Sequence, residues 1–128
     1  MIWNFGGSKP VYQQIKDRSR DAILAGEYPP GSRIPSVREL AADARVNPNT
    51  MQRALSDLER EQILVGCGTA GRSVTGDQTI LEGLHRQAVE EALENCVRKF
   101  RALGLPPGQA AALLLQYEKT EDKTWTES

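Results

Sequence analysis

Residues 45–55 read RVNPNTMQRAL, and the place of the proline in this stretch decides the fold. Met51, Ala54, Leu55 and Leu58 recur at i, i+3, i+4 and i+7, the spacing of one helix face. A proline inside a helix removes a backbone donor and clashes with the preceding turn, but at the first helical position it costs little. Pro48 therefore opens the helix, and Asn47 is its N-cap. Asn49 and Thr50 fall in the first turn, where backbone N–H groups find no partner within the helix. Such a polar, weakly positive end suits an anion, phosphate above all. An ordinary well-capped helix is the plainer alternative.

Immediately upstream, residues 35–40 read PSVREL. Ser36 and Glu39 have the Ser-x-x-Glu spacing of a capping box, in which each side chain satisfies the other's free backbone N–H. Leu40, Ala41 and Ala44 then face inward. This helix runs only to about Ala44, because Asn47 and Pro48 begin the next one. Two short helices joined by about three residues make a helix-turn-helix. Before them, apolar spacing predicts a helix from Val11 to about Leu24, stopped near Gly26. A short extended piece follows at Ser32 to Ile34. After them, QILVG (62–66) reads as a strand, CGTAG (67–71) as a turn and RSVT (72–75) as a returning strand. A hairpin directly after a helix-turn-helix is the layout of a winged helix. The N-terminal IWNF (2–5) is either a short strand or an anchor on the core, with Trp3 and Phe5 as packing groups.

A long helix is predicted from about Gln78 to Leu103, with Ile80, Leu84, Ala88, Ala92, Cys96, Phe100 and Leu103 on one stripe and Gly104 as its stop. A second apolar helix reaches about Tyr117 and carries Leu113 and Leu114. Some 40 residues in two helices are too few for a sound core of their own. Their stripe must be buried against the winged helix or against another chain, and a second copy is the favoured occupant. The expected architecture is mainly α with a small β-wing. It comprises a winged helix-turn-helix over 1–76, a two-helix dimerisation region over 77–118, and a disordered tail over 119–128.

The 128 residues are 39% hydrophobic and 26% charged, which fits a soluble globular chain. No apolar run approaches the roughly 20 residues that cross a bilayer, so no membrane association is expected. The two cysteines make no CxxC pair and no disulfide framework, which fits a reducing cytoplasm. The formal net charge of −1 gives no reason by itself to expect nucleic acid. Residues 1–76, however, carry ten Lys/Arg against eight Asp/Glu, and residues 77–128 carry six against nine. That asymmetry hints at divided labour.

No nucleophile–base pair, phosphate-cradling glycine loop or dinucleotide fingerprint is present, which argues against catalysis and against a cofactor. His85 is the sole histidine and has no cluster of ligands at metal spacing. Cys67 invites a redox-sensor reading, but an exposed cysteine is usually incidental; Cys96, on the apolar stripe, reads as a small core residue. Glu90, Glu91 and Glu94 form an acidic face, solvated by default. Arg18 and Arg20 either touch phosphate or keep their helix wet, with solvation preferred.

The ordered motifs PVYQQIKDRSRDAILAGEYPPGSRIPSVRELAADARVNPNTMQRALSDLERE closely resemble the winged-helix domain of the GntR family of bacterial transcription regulators. The resemblance covers roughly residues 9–76, and PPGSRIPSVRELA and VNPNT are its most specific parts. The N-terminal segment and the short two-helix extension look like the YtrA subfamily. The resemblance implies a homodimer, joined through that extension, that binds double-stranded operator DNA at a pseudo-palindrome, usually as a repressor and often of transporter genes. It places Arg38 at the arginine that touches the operator and Ser36 near the phosphates. Asn and Gln pair with adenine, Arg with guanine, and hydroxyls with phosphate. The expected DNA contacts are therefore Ser36, Arg38, Arg45, Asn47, Asn49, Thr50, Gln52 and Arg53, with Asn47 divided between capping and contact. Gly68, Thr69 and Arg72 are the contacts expected of the wing.

The chain departs from the family pattern in three ways. Arg45 stands where the turn usually has glycine, and a left-handed non-glycine residue costs roughly 1–2 kcal/mol. The turn is therefore altered, or the arginine adds a phosphate contact. Gly68 and Thr69 replace the wing's usual basic residue, leaving Arg72. Ser73 replaces a common aromatic, so a wing that is looser or packs differently is expected. Two rivals stand beside this reading: a winged-helix adaptor that binds protein, and a regulator gated by a small-molecule effector among residues 80–117.

Overall fold

The structure is a computed structural model that describes residues 1–127, with side chains described for residues 1–119. Among the described residues the order is α1 (Val11–Leu24), α2 (Val37–Ala44), α3 (Pro48–Arg60), β1 (Leu64–Gly66), β2 (Arg72–Val74), α4 (Gln78–Ala102) and α5 (Pro107–Glu127). The strands pair antiparallel, with Leu64 opposite Val74 and Gly66 opposite Arg72. The predicted extended piece is real and joins this hairpin. Arg33 bridges Ser73, the Val74 N–H donates to the Ser32 carbonyl at 2.8 Å, and the Ile34 N–H donates to the Arg72 carbonyl at 3.0 Å.

Two compact units divide the chain, residues 1–86 and residues 87–128. In the first, α1 and α2 pack against α3, and β1 follows on. Ile15, Met51, Leu55, Leu58, Leu64 and Val74 are fully buried at the centre. Ile15, Met51, Leu55 and Leu58 come from the apolar faces that helical spacing predicts, and burying such a side chain contributes about 1.5–3 kcal/mol. Residues 2–5 form no strand. They pin the N-terminus instead: Trp3 stacks on Phe5 at 5.7 Å, and its indole N–H donates to Asp43 of α2 at 2.9 Å.

The boundary expected after residue 76 falls ten residues later, and the reason is packing. Leu84 is 7% exposed and belongs to the winged-helix core, while Ile80 and Leu81 pack half-buried against it. The first turns of α4 thus complete the first unit, where Ile80 and Leu84, expected on a dimer face, pack on the winged-helix core. In the second unit Ala88, Cys96 and Phe100 are half-buried, whereas Ala92, Leu103, Leu113, Leu114 and Tyr117 are exposed. Val89, Leu93 and Leu115 are exposed as well, at 58% for Leu93, and sequence reading missed all three. Gly104 ends α4 in a left-handed conformation as expected, and the Leu105 N–H reaches back to the Phe100 carbonyl at 2.8 Å. Helix α5 runs past Tyr117 to Glu127. The tail expected to be disordered over 119–128 is instead helical as far as Glu127, as the continuation of α5, and Ser128 lies outside the described residues.

Candidate nucleic-acid interface

Both helices of the helix-turn-helix begin where their side chains dictate. Ser36 caps α2, its hydroxyl accepting from the Glu39 N–H at 3.1 Å. The return half of the capping box is not made, and Glu39 stays exposed. Asn47 caps α3 twice over: its Oδ1 accepts from the Asn49 N–H at 2.7 Å, and its carbonyl accepts from the Met51 N–H at 3.1 Å. Pro48 takes the first helical position. Capping therefore occupies the Asn47 side-chain oxygen and leaves its amide donors as the part able to meet DNA.

Arg45 resolves the question of the missing glycine. It adopts φ 57°, ψ 46°, the left-handed conformation itself. The Val46 N–H closes the turn on the Ala41 carbonyl at 3.0 Å. The turn is thus not altered, contrary to the expectation: it keeps the left-handed form, held by an arginine whose side chain stays exposed. The same device recurs at Gln62, φ 67°, with the Ile63 N–H on the Leu58 carbonyl at 3.0 Å. Gln62 closes α3 and does not begin the strand predicted for it.

With Met51, Ala54, Leu55 and Leu58 buried, α3 turns the opposite face to solvent. Asn49, Gln52 and Arg53 are exposed there, and Thr50 is half-exposed. Asn49, Thr50 and Arg53 line one open cleft with Pro10, Val11 and Tyr12 of the α1 start. Gln52 donates to Ser56 at 3.1 Å. Ser36 and Arg38 are exposed in the first turn of α2. Among the described residues, no carboxylate forms an ion pair with Arg38, Arg45 or Arg53. Arg33 shares that property and is also exposed beside the hairpin; sequence reading passed over it because it lies outside both helices.

The wing differs from expectation at its arginine. The Arg72 Nε donates to Glu59 Oε1 at 2.8 Å and its Nη2 to the Ser56 hydroxyl at 3.4 Å, leaving the side chain 16% exposed. Arg72 is folded onto α3. Gly66 makes room for this pair: a Cβ there would stand 3.1 Å from the Glu59 carboxylate. Gly68 and Thr69 are exposed in a single 3-10 turn at the wing tip, and Cys67 is exposed with its sulfur 3.3 Å from the Ser73 hydroxyl. Arg18 and Arg20 have local partners: Arg18 donates to the Ile2 carbonyl at 2.6 Å and to Glu27, and Arg20 pairs with Asp21. Among the described residues there is no metal-ligating cluster, and no helix is long and apolar enough to cross a membrane.

The geometry is that of a winged helix with an exposed polar recognition helix, and comparison with known proteins agrees. Residues 11–71 match the model of the bacterial regulatory proteins of the gntR family. The chain is 38% identical to the HTH-type transcriptional regulator YhcF of Bacillus subtilis, over 79% of this chain and 84% of that one. It belongs to the GntR family. GntR proteins are transcription regulators that bind DNA, not enzymes, as the absence of catalytic motifs led one to expect. The HTH-type transcriptional repressor YtrA of Bacillus subtilis is also 38% identical, over 59% of this chain and 60% of its own. A GntR-family regulator from Listeria monocytogenes has the same fold, with a TM-score of 0.78 and 33% identity over 88% of this chain and 98% of that one.

Proposed function

We propose that this GntR regulator is a homodimeric repressor that binds a pseudo-palindromic operator beside its own gene, within a transporter operon. The observation that carries the DNA contacts is the exposed α3 face, where Asn49, Thr50, Gln52 and Arg53 follow a proline start and an asparagine cap. The N-terminal end of such a helix enters the major groove, with Asn49 and Gln52 reading base edges. Arg38, in the first turn of α2, makes a base or near-base contact, Arg45 at the other end of α2 meets the flanking backbone, and Ser36 lies near the phosphates. Gly68 and Thr69 approach as the wing tip, and Arg72 supports the wing from behind. The dimer is supported by the exposed apolar groups of the second unit, Val89, Leu93, Leu103, Leu113, Leu114, Leu115 and Tyr117. A monomer would leave a large apolar surface in water. Repression and transporter genes follow from the YtrA-like character of the chain, and a DNA-bound regulator of this kind works in the cytoplasm.

Binding to the DNA upstream of the gene, with excess nonspecific competitor and across a salt series, tests the proposal. A specific complex of two copies per site is expected, weakening steeply with salt as phosphate contacts release counterions. Arg38→Ala should abolish that complex while leaving the dimer intact on native mass spectrometry. Unchanged specific binding by this variant would refute the assignment of α2 and α3 to the operator.

A further inference from the structure

Tyr12, in the first turn of α1, has no part in the contacts assigned above, yet it touches one of them. The Arg53 guanidinium carbon lies over the Tyr12 ring, 3.8 Å from its centroid. One turn further along the same helix pair, Lys16 meets Glu61 at 2.9 Å and Asp57 at 3.8 Å. Helix α1 therefore supplies partners to Arg53 and Asp57 of α3 and to Glu61 at its end. The kinds of partner differ in a way that matters. Lys16 and Arg72 are held by carboxylates, which cancel their charge towards an incoming phosphate. Arg53 is held by an aromatic face, which orients a cation and leaves its charge intact.

We propose that Tyr12 is a positioning residue for DNA binding: its ring holds the Arg53 guanidinium at the mouth of the cleft shared with Asn49 and Thr50, aimed at a DNA backbone phosphate. The inference rests on the assignment of α3 to DNA. A free arginine loses rotamer freedom when it is fixed at an interface, and a side chain already stacked loses less of it on binding. Removing the ring should therefore weaken specific binding roughly three- to tenfold, the span expected from ordering one long side chain. Tyrosine's hydroxyl is not needed for this, only its ring.

The probe is a fluorescein-labelled duplex of about 30 bp, long enough for two half-sites, recovered by repeated selection from a random library with the wild-type chain. Kd is measured by anisotropy at several salt concentrations for Tyr12→Phe, Tyr12→Leu, Arg53→Ala and the double variant Tyr12→Leu/Arg53→Ala. Leucine keeps apolar bulk against α3, so this variant retains the fold; its far-UV circular dichroism checks that. We expect Tyr12→Leu to raise Kd roughly three- to tenfold, and Tyr12→Phe to stay close to wild type. Arg53→Ala should lower the slope of log K against log salt by about 0.9, the value of one phosphate contact. In the Arg53→Ala background the leucine substitution should then have no further effect. An equal loss from Tyr12→Leu in both backgrounds would overturn the proposal, because the ring would then act without Arg53. So would a Tyr12→Phe variant as weak as Tyr12→Leu. If no duplex is selected over random DNA, the assignment of α3 itself fails and the inference with it, an outcome distinct from the other two.

Discussion

Replacing Arg45 by glycine should make the protein more stable and its grip on DNA weaker, and the two effects can be separated. Arg45 sits at φ 57°, ψ 46°, where a side chain crowds its own backbone. The crowding costs roughly 1–2 kcal/mol. Glycine relieves it but adds about 0.4–1 kcal/mol of chain entropy to the unfolded state. The net gain is therefore about 0.5–1 kcal/mol. The first unit comprises residues 1–86, and for a domain of that size 1 kcal/mol corresponds to about 4–8 °C. The melting temperature should rise by roughly 3–6 °C. Arg45→Ala is the control, since it removes the same charge but keeps the strained Cβ, and it should leave stability near wild type. Urea denaturation with an unchanged m-value would read both. On operator DNA the two variants should lose the same affinity, because they lack the same guanidinium. A glycine variant no more stable than the alanine variant would refute the argument that the left-handed turn is strained.

Asn47→Ala removes the side-chain oxygen that caps α3 and should cost about 1 kcal/mol, whereas Asn47→Ser should restore most of it; thermal unfolding of the three proteins decides. Leu84→Ala should destabilise the first unit by about 2–4 kcal/mol, as a buried leucine does, without changing the oligomeric state. Leu93→Asp should do the reverse, splitting the proposed dimer while leaving the cooperative melt of the first unit in place; analytical ultracentrifugation beside calorimetry tests both. Burial, and then the Glu27 and Asp43 carboxylates, push the Tyr28 phenol above its ordinary value. A raised phenol favours the folded state's neutral form. Its contribution to stability should thus be complete below about pH 10 and disappear as pH climbs through the folded value. Tyr28→Phe should flatten that alkaline decline.

Much of the helix-turn-helix is legible in the sequence because its boundaries are set by local side-chain chemistry. Ser36, Asn47 and Pro48 each act on backbone groups within three residues, so their presence alone marks a helix start. Gln62 is illegible for the opposite reason: it occupies a left-handed turn that glycine would announce, whereas only the family pattern marks the corresponding turn at Arg45. The Arg72–Glu59 pair and the Tyr12–Arg53 stack join residues 13 and 41 positions apart, and no periodicity reports on such contacts. In α4 the apolar stripe is visible throughout, but the sequence does not show where core ends and exposed face begins. Leu84 and Leu93 look alike as letters; one is 7% exposed and the other 58%.

The contact between the wing and α3 also bears on how binding preference could change over evolution. Gly66 leaves space for Glu59, Glu59 holds Arg72, and Arg72 shares Ser56 with Gln52, a residue of the recognition face. A Cβ at position 66 would press on the Glu59 carboxylate at 3.1 Å and shift it by a few tenths of an ångström, which perturbs its bond to Arg72 and what the serine offers the glutamine. Positions in one such network are not additive. The five sites therefore form an epistatic set: a substitution in the wing changes which residues are tolerated on the reading face, and new specificities are reached through linked steps, with the order of the steps mattering.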